Sequence, residues 1–166
     1  MSANFSTGTP DSVPAPLRRE LSFALIGCGR VSENHLAALT AAEVPARLVA
    51  VADVDPSRAQ QKGAKYGVPA YTDFSVMLAE HPEIEVVDIA TPTGYHSAHV
   101  QAVARFQKHI VVEKPMALTL EDCDAMLAAC RQNGRRLFVV KQNRFNPAVQ
   151  AARRAFTAGR LSLIHI

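Results

Sequence analysis

The chain has 166 residues, 48% of them hydrophobic and 20% charged, with a formal net charge of +3; this is the profile of one globular domain with a core of useful size. No uncharged apolar run approaches the ~18 residues that a membrane span needs, and no basic start leads into an apolar stretch, so neither a membrane partner nor a secretory signal is expected. Cys28, Cys123 and Cys130 have no metal-ligand spacing and form no even set; they read as free thiols of a cytoplasmic protein, with no metal site.

Residues 1–20, rich in Ser, Thr, Pro and Ala, read as a disordered leader. Order is expected from Leu21, where a short apolar run to Ile26 ends at Gly27 and fits a buried parallel strand. Val31 to Ala42 reads as a helix, and Leu48 to Ala52 as a second strand ending at Asp53. Pro56 opens a helix that runs to about Tyr66, with Gly67 as its stop. Asp73 caps a shorter helix through Glu80. Val86 to Ala90 is a third strand, a helix runs from about Tyr95 to Gln107, and Ile110 to Val112 is a fourth strand. Thr119 and Asp122 resemble a capping box, with Asp in place of the usual Glu, and the helix they open ends at Asn133 before Gly134. On it Cys123, Met126, Leu127 and Cys130 share one face and are expected in the core. Leu137 to Val140 is a fifth strand. Asn146 and Pro147 form the N-cap and first turn of a last helix that ends near Gly159.

Short apolar strands thus alternate with helices long enough to cross over between parallel neighbours. The expected fold is α/β, a doubly wound parallel sheet of the Rossmann kind.

Charge is unevenly spread. Residues 1–124 carry 10 basic and 15 acidic side chains, whereas residues 125–166 carry eight basic ones and no acid. A mildly basic solvated surface accounts for this, as does attraction of an anionic substrate such as a phosphorylated sugar or sugar nucleotide. Nucleic acid is not an expected partner, because Phe138, Phe145 and Phe156 are the only aromatics there and form no evident stacking platform.

Gly27-Cys28-Gly29-Arg30-Val31-Ser32 lies between the first strand and the first helix. In a Rossmann turn the first glycine allows the bend and the second lets a pyrophosphate reach the backbone. The helix N-terminus then offers free N–H groups to the phosphate. Ser32 replaces the third glycine and is small enough to keep helix and strand close. Asp53, 21 residues after Ser32 at the end of the second strand, is placed to bind adenosine ribose hydroxyls. Its charge would repel the 2′-phosphate of NADP, so NAD is the expected cofactor. NADP is the alternative, with Arg58 as the residue that could reach that phosphate. Cys28 is a filler position in the turn, not a nucleophile.

Two further segments follow strands on the same edge: Thr91-Pro92-Thr93-Gly94-Tyr95-His96 and Glu113-Lys114-Pro115. With Asn143-Arg144-Phe145-Asn146-Pro147 and Ala158-Gly159-Arg160-Leu161, these segments resemble the Gfo/Idh/MocA oxidoreductases over roughly residues 21–161. The resemblance implies hydride transfer between a sugar or sugar-nucleotide carbon and nicotinamide. It makes Lys114 the catalytic residue, beside the nicotinamide and the reacting hydroxyl, where an ammonium can hydrogen-bond the substrate oxygen. It further implies cofactor contacts from Thr91, Pro92, Thr93, His96, Glu113, Lys114 and Gln142, with His99 as a packing residue. Lys141 to Phe145 is most similar to the sugar-nucleotide and N-acetylhexosamine dehydrogenases of polysaccharide synthesis. Family members continue into a second, α+β substrate domain, so the resemblance implies that this domain is missing or truncated. The expected organisation is a dinucleotide-binding unit over 21–145, then a linking helix and the start of the substrate domain over 146–166. The parent is expected to be a homo-oligomer. The alternative is a stand-alone dinucleotide-binding or regulatory module without catalysis.

Overall fold

The structure is a computed structural model that describes residues 19–40 and 45–160. The expected leader up to residue 18, the end of the first helix at Ala42, and the segment after Arg160 lie outside the described residues.

Six strands form one parallel sheet: β1 (Leu21–Ile26), β2 (Ala46–Ala52), β3 (Ala70–Tyr71), β4 (Val86–Ile89), β5 (His109–Val112) and β6 (Leu137–Val139). Their order across the sheet is β3-β2-β1-β4-β5-β6. Five were expected; β3 has only two residues, too few to show as an apolar run. Helices α1 (Ser32–Thr40), α2 (Pro56–Tyr66), α3 (Phe74–Glu80), α4 (His96–Arg105) and α5 (Leu120–Gln132) connect the strands, and α6 (Pro147–Thr157) follows the last. Strand order reverses between β1 and β4, which is the topological switch point where open α/β sheets open a crevice.

The helix ends follow side-chain chemistry. Asp55 caps α2 by accepting from the Ser57 N–H, Pro56 takes the first turn, and Gly67 at φ 67° closes it. Asp73 caps α3, as expected. At α5 the Thr119 hydroxyl accepts from the Asp122 N–H at 3.1 Å and donates to the Asp122 carboxylate at 3.0 Å. The pair therefore caps through one backbone amide and not the two of a full capping box. The helix expected from Tyr95 begins one residue later, after a 3₁₀ turn over Thr93–Tyr95.

The sheet buries both faces. Ala24, Ala50, Val87, Ile89, Ile110 and Val112 meet Val100, Val103 and Met126 in the larger core, and Leu25, Val51 and Leu36 form the smaller one. On α5, Met126 and Cys130 are buried, Cys123 is half-buried, and Leu127 is exposed. The apolar face is thus narrower than the spacing predicted, because only one side of the helix reaches α4 and the sheet. None of the α6 side chains is buried, and Val149 and Phe156 on it stand in solvent together with nearby-in-sequence Phe145. No described helix is long and apolar enough to cross a membrane.

Met126 is fully buried and Leu120, on the same helix, is 79% exposed. Met126→Ala should therefore lower unfolding stability by about 2–5 kcal/mol, while Leu120→Ala changes it by less than about 0.5 kcal/mol. Urea titration of the two variants checks this; equal effects would mean that α5 does not pack as described.

Candidate functional site

The register sets the site. Ile26 pairs with Ala52 on one side and Ile89 on the other; Ile89 pairs with Val112, and Val112 with Val139. The strands therefore end level with one another. The hydrogen-bond ladder carries on one residue past them: Gly27 N–H donates to Ala52 at 2.8 Å, Ala90 to Ile26 at 2.8 Å, and Glu113 to Ile89 at 3.0 Å. The Gly27 turn, Asp53, Thr91 and Lys114 consequently leave the sheet along one edge. With strands about 4.8 Å apart, Asp53 and Lys114 stand roughly 14 Å apart across it.

Gly27 adopts φ 95°, and a Cβ there would lie 2.8 Å from the Ala90 carbonyl and 2.9 Å from the Thr91 nitrogen. Only glycine permits both that backbone and that contact. A Cβ on Gly29 would meet nothing within 4 Å, so its face is open. Ser32 is fully buried, and its hydroxyl donates to the Gly29 carbonyl at 2.6 Å, closing the turn from within. The Asp53 carboxylate accepts from the Cys28 N–H at 2.7 Å and the Asp55 N–H at 2.9 Å, one bond per oxygen. Each oxygen keeps a free lone pair. Asp53 thus ties the end of β2 to the turn after β1. The Cys28 thiol is buried, and burial, reinforced by Asp53, pushes it up to about 12; it is inert as a nucleophile.

A cavity of about 790 Å³ opens over this edge. Gly27, Gly29, Arg30, Val31, Asp53, Thr91 and Pro92 line it, so seven of the expected cofactor residues converge. The N–H groups of Gly29, Arg30 and Val31 donate to none of the described residues. A glycine with open space, amides without acceptors and a carboxylate with spare lone pairs are a donor and acceptor set that fits a dinucleotide. A smaller cavity of about 480 Å³ shares Gly29, Arg30 and Arg58 with the first. Its cations besides Arg30 are engaged: Lys62 and Lys65 with Glu33 at 2.5 and 2.7 Å, and Arg58 with Asp55 at 3.3 Å.

The remaining expected residues lie outside the cavity wall. Thr93 is in the 3₁₀ turn, and Gln142 starts another exposed one. Lys114 is exposed beyond β5. His96 is buried, with one ring nitrogen 3.0 Å from the Pro115 carbonyl and the other 2.8 Å from the Thr91 carbonyl. Both are hydrogen bonds together only when both nitrogens carry protons. His96 thus braces one loop against the other from beneath. His99 is the imidazole in the cavity wall: it meets the Thr91 hydroxyl at 3.1 Å and packs between Tyr95 and Phe74. Burial, with His96 nearby, lowers its pKa.

Sequence reasoning missed His35. From α1 its Nδ1 reaches Asp88 of β4 at 2.7 Å and its Nε2 reaches Glu113 at 2.9 Å. The three side chains are 8%, 7% and 14% exposed. The two nitrogens face different carboxylates, so the trio offers no common point for a cation. Hydrogen bonding to Asp88 outweighs desolvation and, with the two carboxylate charges, pushes the imidazole up to about 9.

Residues 21–141 match the family described as "Oxidoreductase family, NAD-binding Rossmann fold", GFO_IDH_MocA. The chain belongs to the Gfo/Idh/MocA oxidoreductases. It is similar to D-apiose dehydrogenase of Paraburkholderia graminis, 37% identical over 96% of this chain and 42% of that protein. It is also similar to scyllo-inositol 2-dehydrogenase (NAD(+)) of Bacillus subtilis, 31% identical over 87% of this chain and 42% of the relative. Among solved structures, the WlbA dehydrogenase of Bordetella pertussis in complex with NADH and UDP-GlcNAcA matches with a TM-score of 0.82 and 40% identity, over 86% of this chain and 43% of that one. This Gfo/Idh/MocA chain therefore spans about two fifths of the length of the relatives it matches.

His35 predicts a pH dependence of folding. Its folded pKa of about 9 stands above the ordinary 6.5, so its contribution is complete below pH 6.5 and is lost as pH rises through 9. Chemical denaturation across that window should show stability falling by on the order of 2 kcal/mol, and His35→Gln should flatten the slope. A wild-type profile that is level between these limits would contradict the buried cation.

Proposed function

We propose that residues 21–145 bind NAD in the cavity over the sheet edge and form the cofactor-binding unit of a sugar or sugar-nucleotide dehydrogenase. Residues 146–166 are then the linking helix and the first part of a substrate domain. The observation that carries this is the convergence at one edge of four segments from different strands: the open Gly29 turn, Asp53, Thr91 and Lys114. The nicotinamide, when bound, supplies the hydride acceptor or donor.

The chain's own groups do the rest. The amides of Gly29, Arg30 and Val31, at the positive end of α1, hold the pyrophosphate. Asp53 accepts from the adenosine ribose hydroxyls through the lone pairs left free by Cys28 and Asp55. His99, Tyr95 and Phe74 wall the cavity on the side of α4 and α3. Lys114, exposed at the far end of the edge, presents an ammonium to the reacting hydroxyl and stabilises charge that grows on its oxygen. NAD is preferred over NADP because Asp53 would face the 2′-phosphate and because Arg58 is paired with Asp55. A sugar-nucleotide substrate agrees with the UDP-GlcNAcA held by the WlbA dehydrogenase and with the acid-free, basic stretch over 125–166. A cytoplasmic location agrees with the three free thiols.

Calorimetric titration with NAD and NADP tests the reading. NAD should bind more tightly than NADP, and Asp53→Ala should weaken NAD at least about tenfold, a loss near 1.4 kcal/mol. A folded chain that binds neither nucleotide would overturn it.

A further inference from the structure

The Lys114-Pro115 unit is held on both sides by a histidine. Proline has no N–H, so the Lys114 amide is the only backbone donor the pair possesses. That amide donates to Glu113 Oε2 at 2.8 Å. The other oxygen of the same carboxylate, Oε1, lies 2.9 Å from His35 Nε2, and His35 Nδ1 lies 2.7 Å from Asp88 Oδ2. On the far side His96 sits between the two loops, one ring nitrogen 3.0 Å from the Pro115 carbonyl and the other 2.8 Å from the Thr91 carbonyl. A short glutamate side chain carries no fixed direction by itself; here it is pinned at both oxygens.

We infer that His35 is a positioning residue: held between Asp88 and Glu113, it fixes the Glu113 carboxylate, and Glu113 in turn fixes the Lys114 backbone from which the lysine side chain springs. The inference rests on the reading of Lys114 as the residue at the reacting hydroxyl. Both imidazole nitrogens face carboxylates, so the ring can donate to both only as a cation. The buried Asp88 and the half-buried Glu113 around one imidazole leave the cluster at −1, and loss of the proton would leave −2 in a poorly solvated place. Asp88 Oδ1 is buried with no partner among the described residues, so His35 is the only group among them that offsets this acid. The charged groups facing His35 are Asp88 from β4 and Glu113 from the end of β5. On its own helix Glu33 is turned toward Lys62 and Lys65 of α2 instead.

The arrangement also joins the two halves of the site. His35 sits one turn into α1, the helix whose N-terminus carries the Gly29–Val31 amides, while Glu113 belongs to the lysine end. The cation between them fixes the phosphate helix against the strand that presents Lys114.

Amide hydrogen exchange and pH titration by ¹⁵N NMR on the 166-residue chain test this. The Lys114 amide should move with pH at the same midpoint as the His35 ring. In His35→Gln its exchange should quicken at least tenfold, while the sheet amides of Ile89 and Val112 keep their protection. A merely structural role would loosen all three together or none. The wild-type titration stands by itself if His35→Gln does not fold. A Lys114 amide that ignores the His35 midpoint, or one that keeps its protection in a folded variant, would overturn the inference. Neither readout requires nucleotide, so a chain that fails to bind NAD would remove the proposed function and leave this result interpretable.

Discussion

The close approach of Gly27 to the loop after β4 is the constraint on which the site depends. With no Cβ, the turn after β1 lies against the Ala90 carbonyl and the Thr91 amide. Any other residue would have to move those backbone atoms, because a contact near 2.8 Å with main chain cannot be relieved by a side-chain rotation. Two neighbouring strands therefore release their loops at the same level. The crevice between those loops is where strand order reverses.

The other tethers build outward from that contact. Asp53 draws the end of β2 to the turn through Cys28. His96 holds the Thr91 loop and the Pro115 loop together, and His35 joins α1 to β4 and to the end of β5. These are polar bridges between loops that a parallel sheet alone would leave independent. Hydrogen bonds of this kind are worth more when buried, since their groups have no water to turn to. The cavity is consequently shaped by charge and hydrogen bonding at its floor and by aromatic rings on one wall.

Much of this was legible in the chain. Gly27, Gly29 and Asp53 announce themselves through their place at strand ends and their spacing, which is a local property of sequence. The strand β3 was not legible, since two residues carry no periodicity. His96 and His99 were hard to separate, because a 3₁₀ turn before α4 shifts the helix start by one residue and decides which ring faces the cavity. His35 left only an indirect signal. Asp88 lies inside an otherwise apolar strand of four buried residues, and an acid so placed must have a partner. Which residue supplies it could not be read, because His35 is 53 positions away from Asp88 and 78 from Glu113. The paired oxygens of Glu113 likewise reveal a use for that residue apart from direct contact with a cofactor.

The central claim is that the amides of the β1 turn and the acid ending β2 form a nucleotide site on this chain. Mapping backbone amide shifts as NAD is added addresses it most directly, because each residue reports separately. The account predicts the largest changes at Gly29, Arg30, Val31, Asp53 and Thr91, with α5 and α6 nearly silent. Changes centred on α5 or α6, or a silent Gly29–Val31 segment in a chain that binds NAD, would contradict it.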